Sequence, residues 1–147
     1  MATTTAAQKR AQAKAEYDAF LAACPSRQLL DRVSDKWTTL TLCALAGTGG
    51  PVRARGRAAG PRPLRYSELA RALAGVSQKM LTQTLRSLER DGLVTRTVTP
   101  TVPVTVTYEL TDLGRSLQLV VGALKAWAET HMDDVLAHRA AQEGAGA

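Results

Sequence analysis

The sequence predicts a mainly α-helical chain carrying one small β-hairpin, on three observations. Apolar residues recur at helical spacing over most of the chain. Two β-branched runs stand close together at residues 93–98 and 104–110. Serine, threonine, glycine and proline punctuate the intervals between these segments.

Residues 6–22 predict a helix of Ala, Gln, Lys and Glu in which Tyr17, Phe20 and Leu21 are the only large apolar side chains. A helix with so little to bury packs on something else. Cys24-Pro25-Ser26 interrupts it, and Ser26 is placed to cap a second helix through Leu29, Leu30 and Val33. Ser34 or Asp35 then starts a third, with Trp37, Leu40, Thr41, Ala44 and Leu45 at helical spacing. Both read as core helices. Residues 47–63 break every periodicity with five glycines and three prolines, which predicts an irregular loop. A loop of that length inside a small domain is either functional or disordered.

The next stretch carries the main signal. Ser67 is placed to cap a short helix, SELARAL, Ala74-Gly75-Val76 makes a turn, and Ser77 caps a helix running to about Arg90. Two short helices joined by a glycine-containing three-residue turn form a helix-turn-helix, whose second helix lies in the DNA major groove. After Asp91-Gly92 come the two β-branched runs, and the residues between them, Thr99-Pro100-Thr101-Val102-Pro103, bar pairing and predict a hairpin with a loose tip. Helix, turn, helix, hairpin is a winged helix-turn-helix. Thr111 caps the last long helix, where Leu113, Leu117, Val120, Val121, Leu124, Trp127 and Ala128 form a wide apolar stripe. The tail, residues 140–147, is expected to be disordered.

At 100° per residue, the helix from Ser77 to Arg90 separates into two faces. Met80, Leu81, Thr84, Leu85 and Leu88 gather on the packing side, and Lys79, Thr82, Gln83, Arg86 and Arg90 on the other. Glutamine pairs with adenine edges, lysine and arginine with guanine edges, and threonine with either a base or a phosphate. Recognition helices use their first turns on bases, which assigns Gln78, Lys79, Thr82 and Gln83 to base edges and Arg86 and Arg90 to phosphates. Ser77 at the head of the helix, Arg65 before the motif and Arg96 on the hairpin complete the candidate DNA-contacting set. The plain alternative is an amphipathic helix with a solvated charged face. The hairpin that follows favours the reading head.

Charge supports a polyanionic partner. The net charge is +6, and Arg53, Arg55, Arg57, Arg62 and Arg65 stand together without an acid, so subtracting those five leaves +1 for the rest of the chain. No apolar run approaches the roughly 18 residues that a membrane span needs, and a cytoplasmic location with no membrane partner is expected. Cys24 and Cys43 lack metal-ligand spacing, and in a reducing compartment both are expected as thiols. His131 and His138 are seven apart, too far for the one-turn pair that a metal prefers on a helix. No phosphate loop, catalytic triad, paired carboxylates or CxxC cluster is present, so neither an enzyme, a metal nor a cofactor is expected.

From Cys24 to about Thr130 the chain resembles the HxlR family of bacterial winged-helix regulators, relatives of the MarR type. The likeness lies in Cys24-Pro25, Asp35-Lys36-Trp37, Arg65-Tyr66-Ser67-Glu68-Leu69, the stretch SQKMLTQTLRSLERDGLV from Ser77 to Val94, and YELTDLGRSL from Tyr108 to Leu117. The resemblance implies a homodimer that binds a palindromic operator in double-stranded DNA, most often as a repressor. It divides the chain into an N-terminal dimerisation helix (1–23), a DNA-binding domain (24–110) holding the insertion at 47–63, and a C-terminal dimerisation helix (111–139). Two departures stand out. The hairpin after Pro103 lacks the family's basic residue, leaving Arg96 as its only cation, and residues 47–63 replace a short turn. The five arginines there either grip DNA backbone beside the main contact or form a solvated insertion.

Cys24 matches the position of the sensing thiol in HxlR-type proteins that respond to oxidants or electrophiles, which makes it the candidate redox-sensing residue. It precedes a helix N-terminus and lies near Arg27, features that lower a thiol pKa. The alternative is a small apolar filler. Cys43, among Leu40, Leu42 and Leu45, reads as packing. Trp37 and Trp127 either line an effector pocket or belong to the core. A competing class of function is a winged-helix protein-interaction module, which would present apolar anchors on the second helix rather than amides and cations.

Overall fold

The computed structural model describes residues 3–48 and 60–146. Its elements run α1 (Ala6–Ala23), α2 (Pro25–Val33), α3 (Lys36–Leu45), β1 (Leu64–Arg65), α4 (Tyr66–Ala72), α5 (Gln78–Arg90), β2 (Val94–Thr99), β3 (Thr105–Leu110) and α6 (Asp112–Ala145). The chain divides into two units, Met1–Lys36 and Trp37–Ala147.

In the first unit, Thr5 and Gln8 cap α1 reciprocally. The Thr5 hydroxyl accepts from the Gln8 N–H at 3.2 Å, and the Gln8 side chain accepts from the Thr5 N–H at 2.8 Å. α1 ends at Cys24, because Pro25 occupies the first position of α2, where its missing N–H costs nothing. The α2 N-cap is therefore Cys24 and not Ser26, and it makes no side-chain capping bond. Neither helix buries a residue, and Tyr17, Phe20 and Leu30 stand largely exposed, so α2 is not the core helix that its spacing suggests.

The second unit holds the core: Leu42, Leu45, Leu69, Leu81, Leu85 and Leu88 are all 2% exposed or less. Each such leucine contributes about 1.5–3 kcal/mol relative to an exposed one. The hairpin is part of a three-stranded antiparallel sheet in the order β1-β3-β2. Leu64 pairs with Tyr108 and Arg65 with Thr107, while β2 and β3 stay in register from Val94↔Leu110 to Thr99↔Thr105. A two-residue strand leaves no alternation to detect, so β1 is invisible to periodicity. It also moves the start of α4, since the chain is extended through Arg65 and turns helical at Tyr66. The N-cap is Arg65, whose N–H donates to Glu68 Oε1 at 3.2 Å, and Ser67 lies inside the helix.

The hairpin tip is tied rather than loose. The Thr101 hydroxyl donates to the Pro103 carbonyl at 2.8 Å and lies 3.2 Å from Thr105 Oγ1. α6 starts at the expected cap, where Thr111 Oγ1 accepts from the Gly114 N–H at 3.0 Å, but it runs to Ala145 instead of giving way to a disordered tail at 140. Ala140, Ala141, Gln142 and Glu143 are good helix formers on a helix already nucleated upstream. Its apolar stripe splits. Val121 is buried and Leu117 half-buried, whereas Leu113, Val120, Leu124 and Trp127 remain between 51% and 64% exposed.

α6 and the sheet meet at Gly114, where an added Cβ would overlap the Leu93 carbonyl oxygen. That backbone cannot yield freely, because Leu93 also bonds through its N–H to Leu88 and through its carbonyl to the Thr111 N–H. Gly114→Ala is expected to destabilise the fold by about 2–3 kcal/mol. Gly144→Ala, on the open side of α6 with nothing within 4 Å, is expected to stabilise it by about 0.5 kcal/mol. Urea denaturation of both variants checks the opposite signs.

Candidate nucleic-acid interface

α5 is built so that one face is fixed and the other is free. Ser77 Oγ accepts from the Met80 N–H at 3.0 Å, which satisfies one of the unpaired donors of the first turn. The turn ahead of it uses Gly75 at φ 93°, where a side chain would be strained, and closes with the Val76 N–H on the Leu73 carbonyl at 3.0 Å. Leu81, Thr84, Leu85 and Leu88 are buried, with Met80 half-buried beside them. Gln78, Lys79, Gln83, Arg86 and Arg90 are exposed. Lys79, Gln83, Arg86 and Arg90 follow one another by four, three and four residues, so they form a single line along the outer face.

Thr82 sits on the flank of this line, half-buried. Its hydroxyl lies 3.3 Å from the Tyr66 hydroxyl, which is also 3.0 Å from the Gln78 carbonyl. Tyr66 is packed against the core from the start of α4, so it fastens the first turn of α5 to the preceding helix. Sequence reading assigns Tyr66 no role, since nothing in local periodicity reports a partner twelve and sixteen residues away.

The sheet separates two other candidates. Arg65 stands in the cross-strand row of Thr107 and Thr97, and Arg96 in the adjacent row of Tyr108 and Leu64. Adjacent rows project to opposite faces, so Arg65 and Arg96 do not share a surface of the sheet. The face bearing Arg65 is otherwise Thr95, Thr97, Thr99, Thr105, Thr107 and Glu109, and Glu109 is paired with Arg115 at 3.7 Å. Of the clustered arginines, Arg62 lies 3.9 Å from Glu68, while Arg53, Arg55 and Arg57 fall outside the described residues.

Cys24 and Cys43 occupy contrasting sites. Cys24 is partly exposed at the head of α2, where the nearby backbone N–H groups of Arg27 and Ser26 lower its pKa, helped by the Ser26 hydroxyl and the Arg27 charge and opposed by burial. Cys43 is buried in α3, and burial pushes its thiol up despite Thr48 and Lys125 nearby. Thr48 also accepts from the buried Gln118 amide at 3.3 Å. Trp37 is half-buried against the core, and Trp127 is exposed and stacks on His131 with ring centroids 4.8 Å apart. No helix among the described residues is long and apolar enough to cross a membrane.

Residues 57–135 match the family described as HxlR-like helix-turn-helix. The chain is 40% identical over 125 residues to the uncharacterized HTH-type transcriptional regulator YtfH of Escherichia coli strain K12, covering 84% of this chain and 87% of that protein. Among solved structures it is similar to the transcriptional regulator ytfH from Salmonella typhimurium, at 40% identity and a TM-score of 0.64, over 82% of this chain and 95% of that one. It is also similar to the redox regulator HypR in its oxidized form, at 33% identity and a TM-score of 0.60, over 73% of this chain and 96% of that one. With its helix pair, three-stranded wing and these relatives, the chain is a winged helix-turn-helix protein and belongs to the HxlR-like family.

Proposed function

We propose that the chain is a transcription regulator, acting as a repressor, that binds a palindromic operator in double-stranded DNA as a homodimer. The observation that carries this is the exposed line Lys79, Gln83, Arg86 and Arg90 on a helix whose opposite face is locked into the core. A helix held this way enters a major groove as a rigid body, and its amides and cations match base edges and phosphates. Gln78, Lys79, Thr82 and Gln83 read bases, Arg86 and Arg90 hold phosphates, and Ser77, Arg65 and Arg96 complete the contacting set. The relatives' description as HTH-type transcriptional regulators supports the same role. The protein acts in the cytoplasm, needs no cofactor and is not an enzyme.

A palindrome requires two reading heads about 34 Å apart. The exposed stripe Leu113, Val120, Leu124 and Trp127 on α6 supplies apolar surface that a second copy would cover. Cys24 is the candidate sensor of an oxidant or electrophile. Its lowered pKa and exposure favour the reactive thiolate, and HypR, a relative, is a redox regulator. The deciding experiment is selection of bound fragments from random DNA in reducing and in oxidising buffer. A palindromic consensus in reducing buffer supports the reader, its loss on oxidation supports the switch, and equal recovery of all sequences refutes both.

Three further outcomes are expected. Arg86→Ala weakens every duplex alike and lowers the slope of log K against log salt by about 0.9, whereas Gln83→Ala relaxes preference at one position per half-site. Titration at several salt concentrations separates the two, and a uniform loss for Gln83→Ala would refute base reading. Leu124→Glu alters a residue 64% exposed and is expected to give a folded monomer by sedimentation velocity. Finally, a lowered thiol pKa raises the thiolate fraction at a given pH and a raised one reduces it, so near pH 8 iodoacetamide should modify Cys24 well before Cys43. Peptide mass spectrometry over time reads the order.

A further inference from the structure

The contact between Tyr66 and α5 can be accounted for proton by proton. The Tyr66 hydroxyl lies 3.0 Å from the Gln78 carbonyl oxygen and 3.3 Å from Thr82 Oγ1. A carbonyl oxygen only accepts and a phenol carries one proton, so Tyr66 donates to Gln78. It has nothing left to give Thr82. The Thr82 hydroxyl must therefore donate to the Tyr66 oxygen, spending its own single proton inside the protein. Thr82, half-buried on the flank of the outer face, presents only lone pairs to a partner.

We infer that Tyr66 makes Thr82 an acceptor-only contact, so that Thr82 reads the exocyclic amino group of adenine or cytosine. This rests on the reading of α5 as the helix in the major groove. There adenine N6 and cytosine N4 donate, whereas guanine N7 and O6 and thymine O4 accept. An acceptor-only oxygen pairs with the first two and repels the others, and it cannot bond a phosphate, whose oxygens also accept. Tyr66 is thus a positioning residue that sets specificity through Thr82. Phenylalanine at 66 would keep the ring against the core, lose both hydrogen bonds and free the Thr82 hydroxyl to rotate and donate.

The test uses the full-length protein and a duplex selected from random sequence. Each half-site position is varied in turn and the variants compete for wild type, Thr82→Val and Tyr66→Phe. The position whose preference Thr82→Val removes is the one Thr82 reads. Wild type is expected to favour the amino-bearing base there by about tenfold, the scale of one hydrogen bond set against an unpaired acceptor. Purine in place of adenine, or 2-pyrimidinone in place of cytosine, should forfeit that advantage. Tyr66→Phe should reduce the preference to about twofold or less. A ratio between two duplexes within one sample is independent of the fraction of protein folded, so poor folding does not imitate the result. Indifference to the missing amino group on both strands, or an unchanged ratio in Tyr66→Phe, would overturn the inference. Wild type that discriminates elsewhere while Thr82→Val changes no position overturns this inference and spares the reading helix. Wild type that discriminates nowhere overturns the reading helix itself.

Discussion

The inner face of α5 fixes what the rest of the molecule can do. Leu81, Leu85 and Leu88 enter the same core as Leu42, Leu45 and Leu69 and are buried to 2% or less. Truncating any one to alanine would cost about 2–5 kcal/mol, a large share of the stability of a domain this size. Because those three side chains cannot turn outward, Lys79, Gln83, Arg86 and Arg90 cannot turn inward. The candidate interface is in this sense the remainder of the core, and its aim is set by packing rather than by the charged residues themselves.

That coupling explains why the two faces of α5 were legible in the sequence. A helix with four buried positions on one side and seven exposed ones around the rest writes its orientation into a period of 3.6, and Ser77 and Thr111 mark their helix starts by a side-chain oxygen that accepts from the first turn. Both caps stand where the residues place them. The expectations that failed did so for separate reasons, one of them a partner distant in the chain. Ser67 is a better N-cap residue than Arg65, but β1 pairs with β3 forty-odd residues later, holds Arg65 extended and moves the helix start forward. Ser26 loses to Cys24 because Pro25 suits the first helical position, a preference about backbone and not about capping oxygens. The wide stripe on α6 was visible as apolar, yet hydropathy alone does not tell Val121, which enters this chain's own core, from Val120, which does not.

The candidate site was legible to the same extent and for the same reason. Residue type and helical phase identify Gln78, Lys79, Gln83, Arg86 and Arg90. They do not identify Tyr66, whose partners lie across a turn, nor the separation of Arg65 from Arg96, which follows from strand register. Thr82 shows what this costs. Its phase places it with the outer residues, but its hydroxyl is already engaged, and the engagement decides which chemical partners remain open to it.

The sheet bears on where specificity can reside. Between Val94 and Leu110 the hairpin carries one cation, Arg96, and Glu109 is paired with Arg115. A nearly neutral wing adds little to the counterion-release term that dominates affinity for duplexes of any sequence. Its hydroxyl-rich face can hydrogen-bond, but threonine contacts fall far short of an arginine held in a narrow minor groove. On the proposed reading, discrimination falls to the first turns of α5, the part of the candidate interface that Ser77 caps and Tyr66 fastens. Tethering has a thermodynamic meaning here: a turn ordered before binding loses less conformational entropy on contact, so more of each base contact appears as preference between sequences. The hydrogen bonds that hold α5 to α4 thus act on preference between sequences, a different term from the sequence-independent attraction that wing charges would supply.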